Sequence, residues 1–256
     1  MEELTIIKVG GKVVETPDSL TALLAQFSTI GGSKILVHGG GRTATQLAAR
    51  LGIESRMVNG RRITDKETLD VVTMVYAGLV NKTIVAQLQA LDINALGLTG
   101  ADLNYMRSEK RPVGDVDYGF VGDVKAVQPG IIASLLQQGV VPVLAPLTHD
   151  KQGLLLNTNA DTIAGETAKA MAHFFKVTLV YCFEKKGVLL DETDDDSVLP
   201  TLNRAQFRDY VAKGVIQGGM IPKLENAFEA IDAGVSSVVI TKADALIGAG
   251  TVIHHT

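Results

Sequence analysis

Tryptophan is absent from this 256-residue chain, cysteine occurs once, proline seven times, and aromatic residues make up only 5%. The lone cysteine, Cys182 in the apolar run VTLVYCF, has no partner in the chain. An intrachain disulfide framework and a cysteine-based metal cluster are therefore excluded, and a buried strand residue is expected. Positive charge is not in excess, since 24 Lys and Arg face 28 Asp and Glu for a formal net charge of -4. No face-wide basic surface is available to neutralise a nucleic-acid backbone, so any positive patch has to be local and concave. No unbroken apolar run approaches the roughly 18 residues that span a bilayer. The N-terminal MEELTIIKVGG has no basic region ahead of a long apolar segment, as a signal peptide would. No membrane, no nucleic-acid partner and a reducing cytoplasm are the expectations. Ser/His/Asp patterns and zinc-type ligand spacings are also missing, and no bound metal is expected on the chain itself.

What is present is a chain long enough for a large core, with 46% hydrophobic residues and 26 glycines. Short Val- and Ile-rich runs (LTIIKVG, KILVHG, NALGLT, VVPVLA, VTLVYCF, SSVVIT) alternate with longer amphipathic segments. That alternation predicts an α/β fold, a three-layer αβα sandwich around a mostly parallel central sheet. DSLTALLAQFSTIG and RTATQLAARLG carry helical spacing and stop at glycine. TDKE, Thr64 to Glu67, has the form of a capping box opening a long helix through TLDVVTMVYAGLVNKTIVAQLQAL. The acidic run DETDDDS at 191–197 reads as a solvated loop. A composition change near residue 173 suggests two lobes, 1–172 and 173–256.

The chemistry is concentrated in a few motifs. KVGGK places Lys8 inside an apolar strand and then breaks into Gly10 and Gly11; an ammonium group there calls for an anion. HGGGR, His38 to Arg42, follows the second strand and opens a helix, so Gly40 and Gly41 can bring backbone N–H groups to the same anion. It is neither a P-loop nor a dinucleotide fingerprint. His38 has the choice of a general-base or a structural role. NGRRIT sets two arginines ahead of the long helix, where one can grip a carboxylate. NTNAD, Asn157 to Asp161, gathers more polar groups at a helix start than capping needs. In GGMIPK, Pro222 starts a helix and Lys223 follows it, against the helix dipole unless an anion sits alongside. Glycine loops, two lysines, an arginine and an aspartate suit phosphoryl transfer, which rests on positioning and charge neutralisation.

In this order the motifs KVGGK, VHGGGR, NGRRIT, VNKT, GFVGDV, NTNAD and GGMIPK resemble the amino acid kinase family, in the branch that phosphorylates N-acylated glutamate in arginine biosynthesis. The resemblance implies ATP as phosphoryl donor, Mg²⁺ carried on its phosphates, and the γ-carboxylate of N-acetyl-L-glutamate, or of a close analogue such as N-succinyl-L-glutamate, as nucleophile. It implies that Lys8 and Lys223 neutralise the transferring group and that Asp161 holds the two lysines. Gly10 and Gly11 would bind phosphate, Gly40 and Gly41 would offer N–H groups to it from the substrate side, and Arg62 and Asn157 would hold the acylated glutamate. The N-terminal lobe would take the acylglutamate and the subunit contact, the C-terminal lobe ATP. Alternatives are a family member acting on another carboxylate or phosphate, and an amino-acid or nucleotide sensor without catalysis.

Two departures from the family pattern bear on detail. CFEKKGVLL puts Glu184 and two lysines where an Asp-containing turn is usual, and GADLN has Leu103 where glycine is usual. Either Leu103 only repacks its loop, with Arg107, Lys110 and Arg111 solvated, or it reshapes the acyl pocket and one of those cations receives a second carboxylate. The first strand starts too early for the N-terminal helix that links arginine-inhibited members into hexamers. A homodimer joined through the helix after Thr64, without arginine inhibition, is the resulting expectation.

Overall fold

The six Val- and Ile-rich runs lie together in one eight-stranded sheet in the computed structural model, which describes residues 1–58, 60–183, 185–191, 193–246, 248 and 250–255. Across the sheet the order is Thr201–Leu202, Thr251–Ile253, Ser237–Lys242, Lys176–Phe183, Glu3–Val9, Ser33–His38, Val141–Leu144 and Ala95–Leu98. Every pairing is parallel except that of Ser237–Lys242 with Thr251–Ile253. Alternate side chains of the Glu3–Val9 strand enter different cores. Leu4 and Ile6 pack with the helices Pro129–Gln137, Ala160–Met171 and Met220–Asp232, while Ile7 and Val9 pack with Pro17–Thr29, Gly41–Arg50 and the long helix. Burial on both faces is why these strands read as continuous apolar runs. The architecture is a three-layer αβα sandwich.

A smaller four-stranded sheet, ordered Leu155–Asn157, Leu147–His149, Met106–Lys110 and Gly122–Val127, stands beside the main one, and a hairpin pairs Met57–Val58 with Arg61–Arg62. These strands escape the sequence pattern because they are short and polar, as in MRSEK and GDVKAV. Lys34 is buried and gives all three ammonium protons to the carbonyls of Phe27, Ser28 and Ile30, closing the end of the Pro17–Thr29 helix.

The long helix differs from its sequence reading at its start and in its middle. The residue that caps it is Asp65, whose carboxylate accepts from Thr68 N at 2.8 Å, and the helix begins at Lys66. Thr64 does not serve as the cap because its hydroxyl donates to Arg62 O and accepts from Asn157 Nδ2. Between Lys66–Thr73 and Asn81–Gln89 the turns widen into a π-helix, Met74–Val80. The combined 24-residue helix is long and apolar enough to cross a bilayer by length and composition. Here Leu69, Val72, Val75, Val80, Ile84 and Leu88 are buried in the protein core, and core helices pass the same test.

Candidate active site

The C-terminal ends of the central strands carry the groups singled out by charge. Lys8 lies in register between Val37 and Tyr181, and its parity points it to the face covered by the Ala160–Met171 and Met220–Asp232 helices. It is buried, and its Nζ meets Asp161 Oδ1 at 2.8 Å. Asp161 sits in the first turn of its helix, where a carboxylate suits the dipole, and Asn159 caps that turn by accepting from Asp161 N at 2.7 Å. Lys223, in the first turn of Met220–Asp232, lies over the Phe183 ring at 3.9 Å, and Lys8 lies 5.6 Å from the same ring. Helix Met220–Asp232 starts two residues before Pro222, which occupies its first turn.

The two glycine loops touch. Gly39 N donates to Val9 O at 3.2 Å, and a Cβ at Gly39 would stand 3.4 Å from Gly11 N. Gly10 precedes the short helix Gly11–Glu15, and Gly40 precedes Gly41–Arg50. At Gly40 a Cβ would approach the Tyr76 ring to 3.1 Å, so a side chain there would press the ring aside. Glu15 fastens the loops together, its Oε1 accepting from Thr43 N at 2.8 Å. Neither Glu15 nor Tyr76 stands out in the sequence, because each depends on a neighbour distant along the chain.

Arg62 is buried, with Nη1 donating to Ser55 Oγ and Nη2 to Gly41 O and Thr45 Oγ1. Asn157 ends its strand with Nδ2 on Thr64 Oγ1 at 3.0 Å. NTNAD therefore divides its labour: Asn157 faces the hairpin side, Asn159 caps, and Asp161 meets Lys8.

Two cavities open from this point. One, of about 440 Å³, is lined by Gly39, Gly40, Arg62, Tyr76, Arg111 and Asn157 among others. The other, of about 630 Å³, is lined by Gly10, Lys12, Lys185, Gly187, Met220 and Lys223 among others. Lys8, Gly11, Gly41, Met57, Arg62 and Asp161 line both. Lys8, Gly10, Gly11, Gly40, Gly41, Arg62, Asn157, Asp161 and Lys223 each face one of the two cavities or their common wall, whereas His38 lines neither. The two cavities offer a geometry for two ligands meeting end to end.

The sequence profile of the amino acid kinase family matches residues 3–242. The chain belongs to the amino acid kinase family. A curated relative from Phocaeicola vulgatus, named acetylglutamate kinase, is 71% identical over 253 residues, covering 98% of each chain. Among solved structures, smu.665 from Streptococcus mutans UA159 superposes with a TM-score of 0.80 at 29% identity over 99% of each chain. Carbamate kinase from Giardia lamblia bound to AMP-PNP superposes at 0.70 with 14% identity, over 100% of this chain and 99% of that one, a likeness of fold alone.

Against the amino acid kinase pattern, Leu103 adopts φ 55°, a left-handed conformation that explains why glycine is usual there. Its side chain is exposed and lines neither cavity, so the expectation that it reshapes the acyl pocket fails. Of the three nearby cations only Arg111 lines the first cavity; Lys110 is exposed and lies over Phe120 at 4.9 Å. Glu184 lies outside the described residues. Lys185 and Lys186 reach back to Asp195 and Asp196 of the exposed acidic loop. Cys182 is fully buried, and burial pushes its thiol up to about 12, beyond reactivity at neutral pH.

His38 is fully buried, and desolvation, the largest cause, lowers its pKa to about 4. Fully buried and lining neither cavity, it is not placed to reach a substrate as a general base. An unfolded imidazole titrates near 6.5, so the unfolded chain takes up this proton first as pH falls. Stability from neutral His38 is complete above about pH 6.5 and drains away between there and about pH 4, by on the order of 3 kcal/mol. Denaturant unfolding across that window should show a shallower pH dependence in His38→Gln than in the wild type. Equal slopes would refute the assignment.

Proposed function

We propose that this amino acid kinase family member transfers the γ-phosphoryl group of ATP to the γ-carboxylate of N-acetyl-L-glutamate, or a close N-acyl analogue, forming the acyl phosphate used in arginine biosynthesis. The observation that carries the reading is the pair of cavities sharing Lys8, Gly11, Gly41 and Asp161. The family and the acetylglutamate kinase name of the 71% identical relative support it. The acylglutamate enters the first cavity, against Asn157 and the Arg62 guanidinium, ATP enters the second, against Lys223, and the γ-phosphorus meets the attacking carboxylate oxygen at the common wall. The new bond joins that oxygen to phosphorus as the bond to the β–γ bridging oxygen breaks, and ADP leaves. A glutamate side chain is already ionised at neutral pH, so no general base is needed. Lys8 and Lys223 offset the charge on the equatorial oxygens, Asp161 orients the lysines, and N–H groups at Gly10, Gly11, Gly40 and Gly41 receive phosphoryl oxygens. Mg²⁺ rides on the nucleotide phosphates. In this reading residues 1–172 carry the acylglutamate and the subunit contact and 173–256 bind ATP, with Gly10, Gly11 and Lys12 reaching across to the second cavity.

ATP consumption measured with N-acetylglutamate, N-succinylglutamate, glutamate and aspartate tests the reading. Turnover is expected with an N-acylated substrate, and kcat/KM roughly a hundredfold lower with free glutamate, whose ammonium replaces an amide. Equal rates with the free amino acids, or no turnover at all, would sink it. A second reading concerns the acyl group. Arg111 binds Asp123 through Nε and Nη2, while its buried Nη1 has no acceptor among the described groups, and a succinyl carboxylate would supply one. A tenfold preference for the acetyl substrate, about 1.4 kcal/mol, would exclude the succinyl group.

The cytoplasm and a homodimer complete the reading. Met74 and Leu79 are exposed on the long helix, an apolar face that a second copy would cover. Light scattering is expected at twice the chain mass; a monomer would overturn the dimer.

A further inference from the structure

The wall of the first cavity is braced from behind by a buried polar chain that the proposed chemistry leaves unused. His38 ends its strand with Nδ1 2.7 Å from Gly39 O and Nε2 3.0 Å from Asn81 Nδ2. The Asn81 amide also donates to Val143 O at 3.0 Å, and its Oδ1 accepts from Lys82 Nζ at 3.2 Å. Lys82 Nζ further contacts Gly97 O at 3.2 Å. A carbonyl on one side of the Asn81 amide and an ammonium on the other fix which end is nitrogen. The nitrogen end donates, so Nε2 must accept, and Nδ1 must carry the ring's proton and donate to Gly39 O. The space is built for this arrangement: a Cβ at Gly97 would fall 1.8 Å from Asn81 Oδ1.

Gly39 O and the Gly40 N–H belong to one peptide unit. That unit is planar and trans, so its carbonyl and N–H point in opposite directions. Holding the carbonyl against the imidazole aims the Gly40 N–H away from it, and Gly40 lines the first cavity. We propose that His38 and Asn81 are positioning residues for phosphoryl transfer: Asn81 selects the Nδ1–H tautomer of His38, and that N–H fixes the Gly39–Gly40 peptide so that its own N–H meets the transferring group. The inference rests on the kinase reading for its function and on the hydrogen-bond chain for its geometry. A glycine loop is the most pliable kind of backbone, and a preorganised donor contributes to the transition state only if it is held before the reaction.

Amide replacements separate the two nitrogens of the ring. An asparagine at 38 can place its N–H near the Nδ1 position; a glutamine reaches only the Nε2 position. His38→Gln and Asn81→Ala should lower kcat roughly tenfold or more while KM for either substrate changes less than about threefold, and His38→Asn should recover kcat to within about threefold of wild type. Nitrogen NMR of the wild-type protein at neutral pH should show a one-bond N–H coupling at His38 Nδ1 and none at Nε2. That spectrum needs neither a folded variant nor turnover. Wild-type kcat in His38→Gln, an equal loss in His38→Asn, or a proton on Nε2 would overturn the brace. Absent turnover in the wild type would instead refute the kinase reading and leave the tautomer to be judged by the spectrum alone.

Discussion

Lys8→Ala is expected to lower kcat by a hundredfold or more, with a far smaller change in either KM. The Lys8 backbone is fixed between two parallel neighbours in the central sheet, opposite Val37 and Tyr181, and its ammonium is held by burial and by Asp161. It stands on the wall common to both cavities with Asp161 as its carboxylate partner. The charge it meets on the phosphoryl oxygens grows during transfer, and a contact that strengthens in the transition state appears in kcat more than in binding. Loss of one such preorganised contact costs about a hundredfold, roughly 2.7 kcal/mol. Without Lys8, Asp161 also remains beside the phosphates as an unbalanced anion, which adds to the loss. Lys8→Met keeps most of the buried stem and separates charge from packing; its kcat should fall as far as that of the alanine variant. Lys223→Ala should behave similarly, since Lys223 shares the Phe183 ring with Lys8 and faces the second cavity. Near wild-type turnover in either variant would remove that lysine from the mechanism.

Arg62→Ala should act on the other side of the site, raising KM for the acylated amino acid by roughly thirtyfold or more, about 2 kcal/mol, while KM for ATP moves less than about threefold. The guanidinium is buried, and its three described hydrogen bonds tie the hairpin to Ser55, to Thr45 and to Gly41 O. Removing it deletes a carboxylate-binding cation and releases the first residue of the Gly41–Arg50 helix, so some loss of kcat is expected beside the larger change in KM. Arg62→Lys should recover only part of the affinity, because one ammonium cannot replace a planar fork directed at several acceptors. A change confined to KM for ATP would reverse the assignment of the two cavities.

The sequence by itself determined the layers and most of the residues gathered at the candidate site. Strands buried on both faces must be apolar throughout, and helices packed on one side must be amphipathic, so the alternation of LTIIKVG-type runs with amphipathic segments already specified an αβα sandwich. Lys8 and Lys223 were legible because a buried ammonium and a lysine in a first helical turn each carry a local cost that an anion offsets. Tertiary structure alone decided what depends on distant neighbours. Asp65 caps the long helix because Thr64 is engaged by Asn157, 93 positions away. Glu15 reaches Thr43, and Tyr76 fills the space under Gly40, contacts that no local pattern records. The polar strands of the second sheet form against one another rather than by their own propensity, and the hydrogen bonds of His38 are set by Gly39 and by Asn81, itself held by Val143 O. Local periodicity reports which face of an element is buried; only folding brings together the partners that tell a polar side chain what to do.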